Sequence, residues 1–385
     1  MIKKMFLWAL VPLTFMGCIR QPASQDCQMT EKRIRVGIFD TNGDSPGCIT
    51  DAYEALTIDD QIDPEIIGAA TIMSDAILAY DLILFPGGSG KAQTIKLGQL
   101  GMKQVQELVT IHGKGVLGIC AGSYLLSQTE GYPSLDLSGF QAIDIEHDHR
   151  GHGLVKFSLT DEGLKVFPEL NGQELFYSKY YEGPVLTLPE KPEYTGTSLS
   201  TLLSDVHTVE GTPANMTNNR PFITATQAGK GKVVTFVGHP ENTPGMRWMI
   251  PRMVRWALDM ELVPYSDAVV RPQIYQEEIL YTKERLKQQD QYYQMLWGSS
   301  DEKVEAITKL VESSAWSAKK KVIGLIRDEN SAVRLAAARA IVELERTDAL
   351  HDLEIAVVTE TDEAVRKEMK SLLTQLKRIE GCSVH

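Results

Sequence analysis

Three residue types that together can open an amide bond are spaced widely along the sequence: Cys120, His239 and Glu241. Cys120 is the centre of Gly118-Ile119-Cys120-Ala121-Gly122. Glycine two residues to either side of a nucleophile is the pattern of a nucleophile elbow, here with Cys in place of Ser. The turn is tight, and side chains flanking it would meet neighbouring backbone. A thiol at the start of a helix faces free N–H groups and the positive end of the helix dipole, which favour the thiolate. The pentapeptide is equally compatible with an inert buried Cys in a Gly-rich turn. His239 and Glu241 flank Pro240, which biases His239 towards extended backbone, where residues two apart project to one side. Nucleophile, base and orienting carboxylate are then all present. The loop Pro86-Gly87-Gly88-Ser89-Gly90 offers backbone N–H groups for an oxyanion, with Gly87, Gly88 and Ala121 the candidate donors.

Each of these pieces ends a short apolar run that reads as a buried strand: residues 81–85, 114–119 and 232–237. A first strand is expected at 34–39, helices at 50–56 and 99–112, and a last helix of this region at 251–261. Strands alternating with helices predict an α/β fold with a parallel sheet and helices on both faces. In such a sheet the loops after the strands share the carboxyl edge. Cys48, in the loop after the first strand, therefore either lines the site, pairs with Cys120, or is a plain thiol. Residues 131–223 carry β-type patterns and turns.

Gly-Ile-Cys-Ala-Gly (118–122), Phe-Pro-Gly-Gly (85–88) and His-Pro-Glu (239–241) together resemble the class I glutamine amidotransferase superfamily. The narrower likeness is to the domain at the N-terminus of eukaryotic biotin–protein ligases. It is carried by Ile34-Arg35-Val36-Gly37-Ile38-Phe39, Gly122-Ser123-Tyr124-Leu125 and Tyr180-Tyr181-Glu182-Gly183-Pro184, and it covers roughly 32–262. This resemblance implies a flavodoxin-like three-layer sandwich and a Cys-His-Glu triad. It implies that the middle strands shape a substrate pocket and that the substrate is glutamine or another carboxamide. It does not imply biotin ligation, because the ligase's Gly-Arg-Gly-Arg-type loop is absent. Tyr181 is a candidate substrate contact, although ordinary aromatic packing also accounts for it.

The flanking regions set location and partners. Lys3 and Lys4 precede a mostly apolar segment that ends in Phe15-Met16-Gly17-Cys18. A charged start, a short apolar run and a small residue before Cys resemble a bacterial lipoprotein signal over 1–18, with Cys18 as the lipidation site. Residues 19–31 read as a polar tether to a body at 32–263. The expected location is the cell envelope, lipid-anchored and facing the periplasm; an ordinary cleaved signal is the other reading. Cys27, Cys48 and Cys382 specify no disulfide framework. His147, His149 and His152, with nearby carboxylates, could ligate a metal, but a solvated His-rich turn explains them as well. No cofactor is expected. A net charge of −12 and the lack of a basic cluster interleaved with aromatics argue against nucleic acid.

Residues 264–298 are expected to form one amphipathic connecting helix. Beyond it, Val333-Arg334 recurs as Val365-Arg366, each after an acidic helix start. Paired helices at such a period resemble HEAT-like repeats over 299–379, a surface for a protein partner. A plain three-helix bundle is the alternative. Two functions follow. One is an envelope-anchored thiol amidase or hydrolase acting on a small-molecule or peptide carboxamide. The other is an inactive envelope scaffold that binds a ligand and a protein partner.

Overall fold

The computed structural model describes residues 33–40, 45–146, 148–188 and 195–380. Cys18, Cys27, His147 and Cys382, and with them the signal and tether, lie outside the described residues.

The described chain is a mixed α/β protein with a large central sheet. Strands β1 (Ile34–Phe39), β2 (Ile62–Ile67), β3 (Leu82–Phe85) and β4 (Gly115–Ile119) come first. They are followed by β5 (Gln141–Ala142), β6 (His152–Leu159), β7 (Phe176–Tyr181) and β8 (Leu186–Thr187). The last four are β9 (Thr197–Leu202), β10 (Arg220–Ala228), β11 (Gly231–Phe236) and β12 (Ile279–Leu280). The helices of this part are α1 (Pro46–Leu56), α2 (Ala69–Ile72), α3 (Gly90–Thr110), α4 (Ala121–Leu126), α5 (Asp161–Val166) and α6 (Met249–Ala257).

Five strands run parallel in the order β2-β1-β3-β4-β11. That is the doubly wound order of flavodoxin-like sheets. The sheet then continues antiparallel through β10, β9 and β6 to β12, with β7 also paired to β6. Strands β3 and β4 are buried along their whole length, as expected where helices cover both faces. Their side chains alternate between two cores. Leu82, Leu84, Leu117 and Ile119 pack with Ala52 of α1 and Met253 of α6. Ile83, Phe85 and Val116 pack with Leu97 and Val105 of α3 on the opposite face. Helix α3 begins earlier than the spacing predicts and is interrupted at Gly98 (φ 58°).

The remaining helices are α7 (Lys283–Met295), α8 (Ser300–Glu312), α9 (Ala318–Lys321), α10 (Ser331–Glu343), α11 (Leu350–Thr359) and α12 (Glu363–Glu380). They build a separate apolar core, in which Ile307, Leu310, Ala337, Ile341, Leu353 and Met369 meet. The expected helix over 264–298 is not continuous. Pro272 opens a short 3-10 turn, β12 joins the edge of the sheet beside β6, and only α7 is helical, started by the Thr282 hydroxyl. A helix cannot run through Pro272 without losing a backbone hydrogen bond.

The helical part closes against the α/β part through buried charges. Lys319 Nζ donates to Asp51 Oδ1 at 2.6 Å and reaches Glu54 Oε2 at 3.4 Å. Gly245 N donates to Glu345 Oε1 at 2.9 Å, and Arg247 and Arg271 both pair with Glu345. Tyr281 donates its hydroxyl to the Ser314 carbonyl. This inner face is therefore occupied by the chain itself.

Candidate active site

The parallel order brings the carboxyl ends of β1, β3, β4 and β11 to one edge. In register, Phe85 lies beside Gly118 and Phe236 beside Ile119, so the Gly-rich loop, the elbow and the His-Pro-Glu segment leave the sheet side by side.

Cys120 sits at φ 51°, ψ −103°, a conformation that costs a non-glycine residue roughly 1–3 kcal/mol. It is held there by Cys120 N donating to Phe236 O at 2.8 Å and by Ser123 Oγ donating to Phe236 O at 2.7 Å. A Cβ at position 122 would stand 2.1 Å from the Phe85 carbonyl oxygen, so the elbow can approach β3 only with glycine there. The thiol is 6% exposed and donates to the Tyr181 carbonyl oxygen at 3.3 Å. The Tyr181 backbone, rather than its ring, is what meets the nucleophile.

His239 is buried, and its Nδ1 bonds Glu241 Oε1 at 2.7 Å. The pair forms differently from the extended geometry expected from Pro240. Residues Pro240–Asn242 make a 3-10 turn that folds the carboxylate back to the ring. Pro fits the first position of such a turn because its missing N–H has no role there. The turn is pinned by His239 N donating to Lys179 O at 2.6 Å and by Thr243 Oγ1 donating to His239 O at 2.7 Å. Burial alone would push the imidazole down. The Glu241 carboxylate and then the neighbouring Cys120 sulfur overcome it and raise the group to about 10. Nε2, the other ring nitrogen, makes no hydrogen bond among the described residues. Base and thiol are thus neighbours, while the thiol proton is lent to Tyr181 O.

Gly87 passes close to the ring: a Cβ there would lie 2.8 Å from His239 Cε1 and 3.1 Å from Cys48 Sγ. The N–H groups of Gly87, Gly88 and Ala121 have no acceptor among the described residues. Cys48 therefore lines the site; its thiol is pushed well up by burial, then by Glu241, Asp51 and Cys120.

Several neighbours have no signature in the sequence. Trp316, from the helical part, lies 4.9 Å from the His239 ring and 5.3 Å from the Tyr181 ring, centroid to centroid. Lys179 is fully buried and donates to Asn242 Oδ1 at 3.0 Å, while Asn242 donates to Asp51. Of the His-rich turn, His149 is exposed and faces Glu182 at 3.6 Å, and His152 stacks on Tyr181 at 4.3 Å. Among the described residues no three His, Cys, Asp or Glu gather as metal ligands.

The structure is similar to a ThuA-like protein from Parabacteroides merdae (14% identity, 61% of this chain and 93% of that one, TM-score 0.43). It is similar also to a ThuA-like protein from Bacteroides uniformis (15%, 62% and 95%, TM-score 0.43). A third likeness is the glutaminase domain of Trypanosoma brucei CTPS with bound acivicin (12%, 60% and 96%, TM-score 0.40). No protein-family model and no curated protein matches the sequence.

Proposed function

We propose that this chain is a thiol hydrolase of the amidotransferase-like kind that cleaves a carboxamide. Cys120 is the nucleophile, His239 the proton carrier and Glu241 the group that orients the imidazole. The observation that carries the reading is the buried 2.7 Å bond from His239 Nδ1 to Glu241, formed beside a thiol on a strained elbow. Turning Sγ from Tyr181 O towards a neutral Nε2 transfers the thiol proton to the ring, and the thiolate so formed, together with Glu241, then holds it there. The thiolate then attacks the carboxamide carbon, and the N–H groups of Ala121 and Gly88 stabilise the oxyanion. As the C–N bond breaks, Nε2 returns the proton to the leaving ammonia or amine. Water deprotonated by Nε2 splits the thioester, which releases the acid and restores the thiol. An imidazole raised to about 10 holds the proton that the leaving group needs.

The chain acts at the bacterial envelope, held by lipid on Cys18, and the outer face of its HEAT-like helices meets a protein partner. Incorporation of labelled fatty acid that is lost in Cys18→Ser tests the anchor.

A second reading, a binding scaffold without turnover, is favoured by the near-complete cover over the thiol. Alkylation of the full chain by iodoacetamide near neutral pH separates the two. The hydrolase requires fast labelling of Cys120 that is lost in His239→Ala. Equal, slow labelling of both proteins supports the scaffold.

A further inference from the structure

Beside the triad, and containing none of its members, is a cavity of about 260 Å³. On one wall stand Gly47 and Cys48, in the first turn of α1. Facing them are Trp316, Lys319, Lys320 and Arg346, all from the helical part. The cavity adjoins the reacting groups at two points. Trp316 is packed on His239, and Cys48 lies against the same Gly87 that the imidazole touches.

The charges around it are not balanced. Lys319 is held by Asp51 and Glu54, and Arg346 by Asp348. Lys320 has neither a carboxylate nor any hydrogen-bond acceptor among the described residues. Its Nζ, the free end of an exposed side chain, lies over the start of α1, 2.5 Å from where a Cβ on residue 47 would stand. The N–H of Gly47 has no acceptor among the described residues either. The positive end of α1 points the same way. Cys48 adds no negative charge, since its surroundings keep the thiol protonated. A cation, a free N–H and a helix start thus converge on a polar hollow, while the nearest carboxylate, Asp51, is already bonded by Lys319 and Asn242.

We propose that this cavity receives an anionic group of the substrate, a carboxylate or a phosphate, and that Lys320 is the contact that selects for it. The helical part is then a wall of the substrate site. The identification of the ligand as substrate rests on the hydrolase reading; the anion site itself does not.

The test follows iodoacetamide labelling of Cys120 in the full chain, read by mass spectrometry at constant ionic strength, in rising glutarate or inorganic phosphate. One of the two should protect Cys120 saturably. Lys320→Gln should raise the half-protecting concentration about tenfold, the scale of one lost charge contact at partial exposure, and Lys320→Arg should restore most of it. The anion that protects at the lower concentration identifies the group. Absence of protection by both, or equal protection of Lys320→Gln and the parent, overturns the proposal. Loss of His239-dependence in the anion-free labelling counts against the hydrolase reading alone. In that event, calorimetric titration of the same two anions into the parent and Lys320→Gln decides the pocket: binding weakened about tenfold supports it, and equal or absent heats overturn it.

Discussion

The Trp316 indole stands edge-on to the His239 imidazole, with ring centroids 4.9 Å apart and planes at 82°. The two residues come from parts of the chain with separate cores, yet they share one contact surface with Tyr181 and Lys179. An edge-to-face pair adds about 0.5–1.5 kcal/mol beyond simple burial. Trp316→Ala should therefore cost only about 1–2 kcal/mol in urea unfolding, since the indole is partly exposed. Carboxamide hydrolysis should fall more, by about tenfold in kcat, because the imidazole loses the wall that fixes its plane. Trp316→Phe should keep most of both. An unchanged kcat in the alanine variant would remove the helical part from the site.

Glu241 sets a pH signature. The imidazole is raised from 6.5 to about 10 in the fold, against burial, by Glu241 first and Cys120 second. A group that binds its proton more tightly folded than unfolded stabilises fully below the unfolded value. That contribution is lost as pH rises from 6.5 through about 10. Glu241→Gln removes the main cause. Its stability deficit relative to the parent should be largest at pH 6 and shrink towards pH 10, as measured by urea unfolding at several pH values. Activity should drop about 10²-fold or more, because the ring loses both its partner and its favoured tautomer. A deficit that grows with pH would contradict the assignment.

Lys319 joins the helical part to the α/β part through Asp51 and Glu54. Removing one partner of a buried ion pair leaves an uncompensated charge, at about 3–5 kcal/mol. Lys319→Met should destabilise on that scale. Pairing it with Asp51→Asn should recover part of the loss, because one buried charge is then removed. Thermal unfolding followed by two probes, one in each part, should give coincident transitions in the parent. Separate transitions there would mean that the two parts fold independently.

Four of the five parallel strands, β1, β3, β4 and β11, can be read from short apolar runs that each end at a chemistry-bearing loop; β2 cannot, because Asp63, Pro64 and Glu65 break its apolar pattern at the edge of the sheet. Periodicity records which face of a strand is buried, and in β3 and β4 both faces are. The meeting of His239 with Glu241 was legible too, but its route was not. Pro240 pointed to extended backbone, whereas the Thr243 hydroxyl on the His239 carbonyl closes a tight turn instead. The polar spacing of 264–298 suits a helix throughout, and only pairing with β6 distinguishes a strand at 279–280. Trp316 and Lys320 left no signal. Their roles arise from packing between distant segments, which no local pattern encodes.

Lys179 makes the sharpest test of the buried electrostatics. Burial first, and then Lys319, lower its amine to about 7 despite Asp51 and Glu241. The unfolded chain binds more protons than the fold between about 7 and 10.5, so this group favours folding progressively more as pH rises across that window. Below it, the amine is a net burden on the fold. Lys179→Met should therefore stabilise at pH 6 by about 1 kcal/mol, after allowing for the Asn242 oxygen left without its donor. That gain should disappear by about pH 10. Hydrolysis should persist, since His239 is held by the Lys179 main-chain carbonyl, which the substitution keeps. Greater destabilisation at pH 6 than at pH 10 would instead make the ammonium ion a required part of the structure.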